Sequence, residues 1–242
     1  MKSVSMVFGI VMALVAAPAF SAVIVDEQFS HMDGPLVGLT PQPGPGGAWV
    51  AHSGAGNKPV QVSAGTISLE QSGGSGEDVN TTFAAMAAGD KLYAGFDVML
   101  PSGQTVNPDA DGLYFAHFRV STTFRGRIFV VSPSGGGDFG IALDADSSTP
   151  SVAWPSDLSF DTVYRIIVSY DFDTGDSQLW IDATLETDPS ITDAAGTAGA
   201  AIDSFGLRQS SDYTGSQVID NLMVSDTFDE SVPVELMSFS VE

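Results

Sequence analysis

The sequence predicts an all-β fold, a two-sheet antiparallel β-sandwich of the jelly-roll kind, and three observations predict it. Short runs rich in Val, Ile, Phe, Tyr and Thr recur along the chain, separated by Gly, Pro, Asp, Asn and Ser, as strands divided by turns would be. The clearest runs alternate with period two, which sets one side toward a core and the other toward water or a groove. Helix signals are nearly missing. The best of them, residues 83–89, would make one or two turns and stop at Gly89.

Taken in order, the chain opens with Lys2, an apolar run over residues 7–17, a break at Pro18 and the small residues Ala19 and Ser21 flanking Phe20. This is the pattern of a secretory signal peptide over residues 1–21, cleaved before Ala22. The apolar run is too short for a transmembrane anchor, which needs roughly 20 residues. Export to a secreted or cell-surface location is therefore expected. One domain should occupy residues 22–230, followed by a tail over 231–242.

Within that domain we expect strands near residues 23–29, 60–63, 66–71, 91–99, 112–120, 125–131, 138–143, 163–171, 177–182, 201–208 and 217–225. Leu92, Ala94, Phe96, Val98 and Leu100 share one face, and so do Tyr164, Ile166, Val168 and Tyr170. Asp173-Thr174-Gly175-Asp176 is placed to turn a hairpin, with glycine taking a positive φ. Many short strands with frequent turns imply a sandwich.

Composition narrows the function. Hydrophobic residues make up 43% of the chain, enough for a core. There is no cysteine, so disulfides, thiolate zinc sites and thiol catalysis are excluded. Eight Lys and Arg stand against 30 Asp and Glu, a net charge of −22 that becomes −23 once Lys2 is removed. Such a surface repels nucleic acid and anionic lipid. Calcium, cationic surfaces and neutral sugars are the better-matched partners. The same acidity also serves plain solubility.

Catalytic constellations are missing. No string of alternating acids suggests a glycosidase pair, no Gly-x-Ser-x-Gly elbow accompanies the three histidines, and Ser134-Gly135-Gly136-Gly137-Asp138 lacks the lysine of a phosphate loop. A non-catalytic role is expected, with no cofactor except a structural calcium. Asn107, Asp109 and Asp111 precede Gly112 with the spacing of the first half of an EF-hand-type loop, although position twelve is Phe118 rather than an acid. Glu27 and Asp220 form a second candidate, if the first and last strands lie side by side.

The basic residues are few and oddly placed. All five arginines, Arg119, Arg125, Arg127, Arg165 and Arg208, fall in or beside predicted strands. Alternation sets Arg125 and Arg127 on one face, opposite Ile128 and Val130, with Glu77 and Asp78 as expected carboxylate partners. Two readings stay open. Arg125, Arg127, Glu77 and Asp78 form a structural ion-pair network, or Arg125, Arg127, His117, Trp180 and Arg208 line a polar groove suited to a sugar or an anionic group. Trp180 faces either that groove or a second core layer, whereas Trp49 and Trp154 are expected to plug the core.

Several segments carry a family resemblance: Glu27-Gln28-Phe29, Asp33-Gly34-Pro35-Leu36, residues 73–80, Tyr93-Ala94-Gly95-Phe96, Tyr114-Phe115-Ala116-His117-Phe118, Phe124-Arg125-Gly126-Arg127, Ser177-Gln178-Leu179-Trp180, Phe205-Gly206-Leu207-Arg208-Gln209 and Ile219-Asp220-Asn221-Leu222. Together they resemble a laminin-G/concanavalin A-like jelly-roll module of secreted bacterial proteins. Gln28 stands where that family would place an acid. The tail Pro233-Val234-Glu235-Leu236-Met237-Ser238-Phe239 resembles the segment before a type IX secretion sorting domain. The resemblance implies export beyond the inner membrane. Taken with the residues, the expectation is an extracytoplasmic, non-catalytic module that binds a carbohydrate or cell-surface component. The alternatives are a purely structural surface or matrix protein and, lesser, a polysaccharide hydrolase or lyase.

Overall fold

The computed structural model describes residues 22–86, 89, 91–106, 113–210 and 215–232. The signal-peptide segment, the tail beyond Val232 and the loop carrying Asn107, Asp109 and Asp111 lie outside the described residues. From the N-terminus the strands are β1 (Val23–Glu27), β2 (Gly34–Pro35), β3 (Val50–Ser53), β4 (Gln61–Ser63), β5 (Thr66–Glu70), β6 (Asp78–Met86), β7 (Lys91–Met99) and β8 (Leu113–Val120). They continue as β9 (Thr123–Val131), β10 (Gly140–Asp144), β11 (Val152–Ala153), β12 (Tyr164–Asp171), β13 (Ser177–Ile181), β14 (Ile191–Asp193), β15 (Ile202–Leu207) and β16 (Ser216–Ser225), before a 3-10 turn at Asp229–Ser231.

The strands form two antiparallel sheets, as the sequence predicts. A nine-stranded sheet runs β14-β13-β12-β7-β16-β5-β4-β2, with β1 also on β16, and a seven-stranded sheet runs β11-β10-β9-β8-β15-β6-β3. All eleven expected strands are present, with ends shifted by a residue or two.

Between the sheets lies one apolar core. β7 contributes Leu92, Ala94, Phe96 and Val98, β12 contributes Ile166, Val168 and Tyr170, and the seven-stranded sheet answers with Phe115, Phe118, Ile128, Val130 and Phe205. The alternation read from sequence is therefore the core face in both long strands. It breaks in β16, where Ile219 and Leu222 are both buried three residues apart; Asn221 has φ +50° and the register with β7 slips between Asp220 and Met223. A bulge of this kind re-aims the side chains that follow it. The hairpin turn expected at residues 173–176 joins β12 to β13, with Gly175 at φ +85°.

One expectation is overturned. Residues 83–86, the described start of the helix expected at 83–89, are strand rather than helix, because β6 runs through Phe83 to Met86 and pairs with β15 up to Ile202↔Met86. Alanine favours helix locally, but this end of β6 continues a strand already laddered to β15, and gains hydrogen bonds that an isolated turn cannot offer. The short strands β2, β3, β11 and β14 were also outside the reading. Each is two to four residues long, too short to display a period.

Candidate functional site

The seven-stranded sheet turns its outer face to a pocket of about 340 Å³, whose lining includes His52, Asp78, Tyr114, His117, Arg119 and Arg208. Its floor follows from strand register. Asn80 on β6 lies opposite Gly206 on β15, and Gly206 lies opposite His117 on β8. The central member of this row has no side chain, so the His117 ring lies over it. A Cβ at position 206 would come within 2.8 Å of His117 Nε2. Gly206 is thus what gives the imidazole room.

Aromatic rings surround that imidazole. Phe124 is 4.4 Å away centroid to centroid, Tyr114 5.6 Å and His52 5.8 Å. His117 is fully buried, and neither ring nitrogen has a hydrogen-bond partner in the protein. A buried polar atom left in that state costs about 1–3 kcal/mol. Burial, with His52, Arg127, Arg119 and Arg208 adding positive charge, holds its pKa well below 6.5. Burial likewise lowers His52 to about 4, so both rings are neutral at pH 7.

Three guanidiniums converge on this site. Arg208 stacks on Tyr114 at 4.3 Å and donates to its carbonyl at 3.4 Å. Arg127 sits 5.1 Å from the Tyr114 ring and 5.3 Å from Phe124, and donates Nη1–H to the Asp146 carbonyl at 2.5 Å. Arg119 donates to Asn80 Oδ1 at 3.3 Å. The Nε atoms of Arg119 and Arg127 are buried without a partner. Among the described residues, none of these three arginines has a carboxylate oxygen within 4.0 Å; the ion pairs there are His31–Glu27, Lys91–Glu186 and Arg165–Asp97. Asp78 is the acid of the lining. Burial raises its pKa to about 6, against the Gln209 N–H it accepts and the charge of Arg208.

The structure sorts the sequence candidates. His117 and Arg208 come together in the pocket and Arg127 stacks on its wall. Arg125 does not join them. Gly126 has φ +54° and the β8–β9 register slips between Ala116↔Ile128 and Phe118↔Arg125, so two residues on β9 face one on β8. That bulge sets Arg125 opposite the core residue Phe118, reaching the Thr197 carbonyl at 3.3 Å, and undoes the common face that plain alternation gives Arg125 and Arg127.

The expected ion-pair network of Arg125 and Arg127 with Glu77 and Asp78 does not form. Glu77 accepts the Gly56 N–H at 2.7 Å on one oxygen, and Asp78 accepts the Gln209 N–H at 2.8 Å, so backbone donors rather than arginines hold both side chains. Trp180 belongs to the opposite sheet, fully buried with Tyr93, Ile167, Ala183 and Phe228, with its indole N–H on the Glu186 carbonyl.

Arg119, Tyr114, Phe124 and His52 were not singled out as site residues. The two-residue spacing of His117 and Arg119 was the available signal; His52, on β3, enters through a strand too short to read.

β1 does pair with β16, with Glu27 opposite Leu222. The fully buried Glu27 carboxylate, however, accepts from Phe29 N at 2.7 Å and Trp49 Nε1 at 2.9 Å and contacts His31 Nε2 at 3.1 Å. Donors from the chain itself fill the oxygens a cation would need, so the residues at Glu27 and Asp220 do not fit calcium. Among the described residues no group of three or more His, Asp or Glu could hold a metal. Nor, among them, is any helix long and apolar enough to cross a membrane.

No family model and no curated protein matches the chain. Solved structures do. The Emp47p carbohydrate recognition domain aligns at a TM-score of 0.50 and 10% identity, over 87% of this chain and 99% of that one. Botulinum neurotoxin type C, whose cell entry is described as dependent on interaction with two ganglioside molecules, aligns at 0.53 and 11% identity, over 84% of this chain and 47% of that one. At such identities the likeness establishes the fold, a jelly roll of the concanavalin A-like kind, and leaves function to the site.

Proposed function

We propose that this protein is an extracytoplasmic, non-catalytic module that binds a glycan in the pocket on the outer face of its seven-stranded sheet. One observation carries the reading: a fully buried His117 with both ring nitrogens unpartnered forms part of a pocket walled by Tyr114, Phe124 and arginine donors. Sugars present a mixture of C–H faces and hydroxyls. An aromatic wall takes the former, and the N–H donors of the part-exposed arginines take the latter. The same fold houses a carbohydrate recognition domain in Emp47p, so it admits this use. The signal-peptide pattern of residues 1–21 supports an extracytoplasmic site of action.

The test is a panel of neutral and acidic oligosaccharides presented to the purified protein and to Tyr114→Ala. Binding by the parent that falls at least tenfold in the variant, with an unchanged fold by circular dichroism, is the expected result. A panel with no binder, or binding indifferent to Tyr114, overturns the proposal and leaves a purely structural role.

A further inference from the structure

Resting on the glycan reading above, we propose that the pocket selects acidic glycans, a sugar ring bearing a carboxylate or sulfate seated between Arg119 and Arg208. The argument begins with charge. The chain holds 30 Asp and Glu against 8 Lys and Arg, so a pocket that gathers arginines with no carboxylate in contact calls for an explanation. Arg165, on the other sheet, has its acid: Asp97 at 3.2 Å. Arg119, Arg125, Arg127 and Arg208 have none within 4.0 Å among the described residues; of these, Arg119 and Arg208 line one pocket and Arg127 stacks on its Tyr114 wall.

Acids do stand farther off. Asp203 lies toward Arg119, Asp144 and Asp146 toward Arg127, and Asp78 toward Arg208. They temper the field without occupying the guanidinium forks. The three guanidiniums are part-exposed, so water serves the donors that an anion entering the pocket can take.

The donor inventory agrees. Arg119 spends one Nη–H on Asn80, and its buried Nε has no partner; Arg208 spends one on the Tyr114 carbonyl. A guanidinium carries five N–H donors in a planar fork that matches a carboxylate or sulfate. Tyr114 and Phe124 supply the ring-stacking surface that a bare ion does not need.

The overall negative charge does not contradict this. Asp78 shares the lining, but screening confines charge effects to about 8–10 Å at ordinary ionic strength, so a ligand group between Arg119 and Arg208 feels those guanidiniums and Asp78 before the acids elsewhere on the surface. Overall acidity alone favours neutral sugars; the placement of the arginines reverses that preference at this one spot.

The experiment is titration calorimetry with paired probes: oligogalacturonate against its methyl ester, dextran sulfate against dextran, and sodium sulfate and citrate as bare anions. We expect at least one charged glycan to bind tenfold or more tighter than its uncharged counterpart. Arg119→Gln and Arg208→Gln should each remove tenfold or more of that affinity, and Arg208→Lys, which keeps the charge but loses the fork, part of it. Arg125→Gln, outside the pocket, should leave it unchanged. Melting curves confirm that each variant is folded.

Equal binding of ester and acid, or of dextran and its sulfate, overturns the acidic selectivity while the glycan reading stands. Sulfate or citrate binding as tightly as the glycans overturns the sugar requirement. Absence of binding by every glycan, charged or neutral, overturns both this inference and the function it rests on.

Discussion

On the outer face of the nine-stranded sheet, the chain's own C-terminal segment covers the strands. Phe228 packs on Trp180 at 5.1 Å and on Tyr93 at 6.1 Å, and Arg165, only 8% exposed, meets Asp97, the Asn221 carbonyl and the Ser231 carbonyl. On the outer face of the seven-stranded sheet nothing of the sort happens: three arginines gather without a carboxylate, and the imidazole beneath them has no partner. The same residue type is thus used in two ways. Where a guanidinium is fully coordinated by its own fold, it holds the fold together. Where its donors are left over, it is held in readiness for something outside. Burial and hydrogen bonding differ together: Arg165 is buried and paired, whereas the three arginines of the other face are part-exposed and keep free donors.

The sharpest way to break this comparison is to remove one arginine from each face. Arg165→Ala strands Asp97 and releases the Ser231 carbonyl, so it should destabilise by about 3–5 kcal/mol in urea denaturation. Arg208→Gln leaves no carboxylate behind and should change stability by less than about 1 kcal/mol. Equal losses from the two substitutions would erase the distinction.

A second probe tests the covering segment. Phe228 is 3% exposed against Trp180 and Tyr93. Phe228→Ala removes most of that contact at the edge of a small cluster and should cost about 2–3 kcal/mol, below the usual range for a central Phe→Ala. Water then reaches Trp180, whose fluorescence should move to longer wavelength. Unchanged emission would mean that the segment does not shield the sheet.

How much of this was legible in the sequence depends on regularity. Leu92 to Leu100 and Tyr164 to Tyr170 could be read because an uninterrupted pleat makes every second residue equivalent. Arg125 could not, because a single positive φ at Gly126 reverses the faces of the residues beside it. His117 and Arg208 stand out in the sequence by their chemistry, and the structure brings both into one pocket. Trp180 shows the converse limit: alternation in β13 separates it from Leu179, yet only the tertiary fold says that the second face is covered by Phe228. Gly206 carried no signal of its own; its role is visible only once β8 lies beside β15.

The smallest expected effect comes from titration across the pocket, where two neighbouring groups act with opposite sign. Asp78 has its folded pKa raised to about 6 from 3.8, so the native state holds a proton that the unfolded chain has lost. Its contribution therefore weakens stability as pH rises from about 4 to 6 and remains unfavourable at pH 7. His52 is lowered to about 4 from 6.5, so its contribution is full above pH 6.5 and is lost as pH falls toward 4. Asp78→Asn should then stabilise by about 1 kcal/mol at pH 7, after allowance for solvent screening, and by nothing below pH 4. His52→Gln should do the reverse, flattening the loss of stability between pH 6.5 and 4 while leaving pH 7 little changed. Because protonated Asp78 no longer opposes an anion beside Arg208, an acidic ligand should also bind more tightly at pH 5.5 than at 7.5, and Asp78→Asn should abolish that difference. A pH dependence that survives in Asp78→Asn would assign it to another group and remove Asp78 from the account of this face.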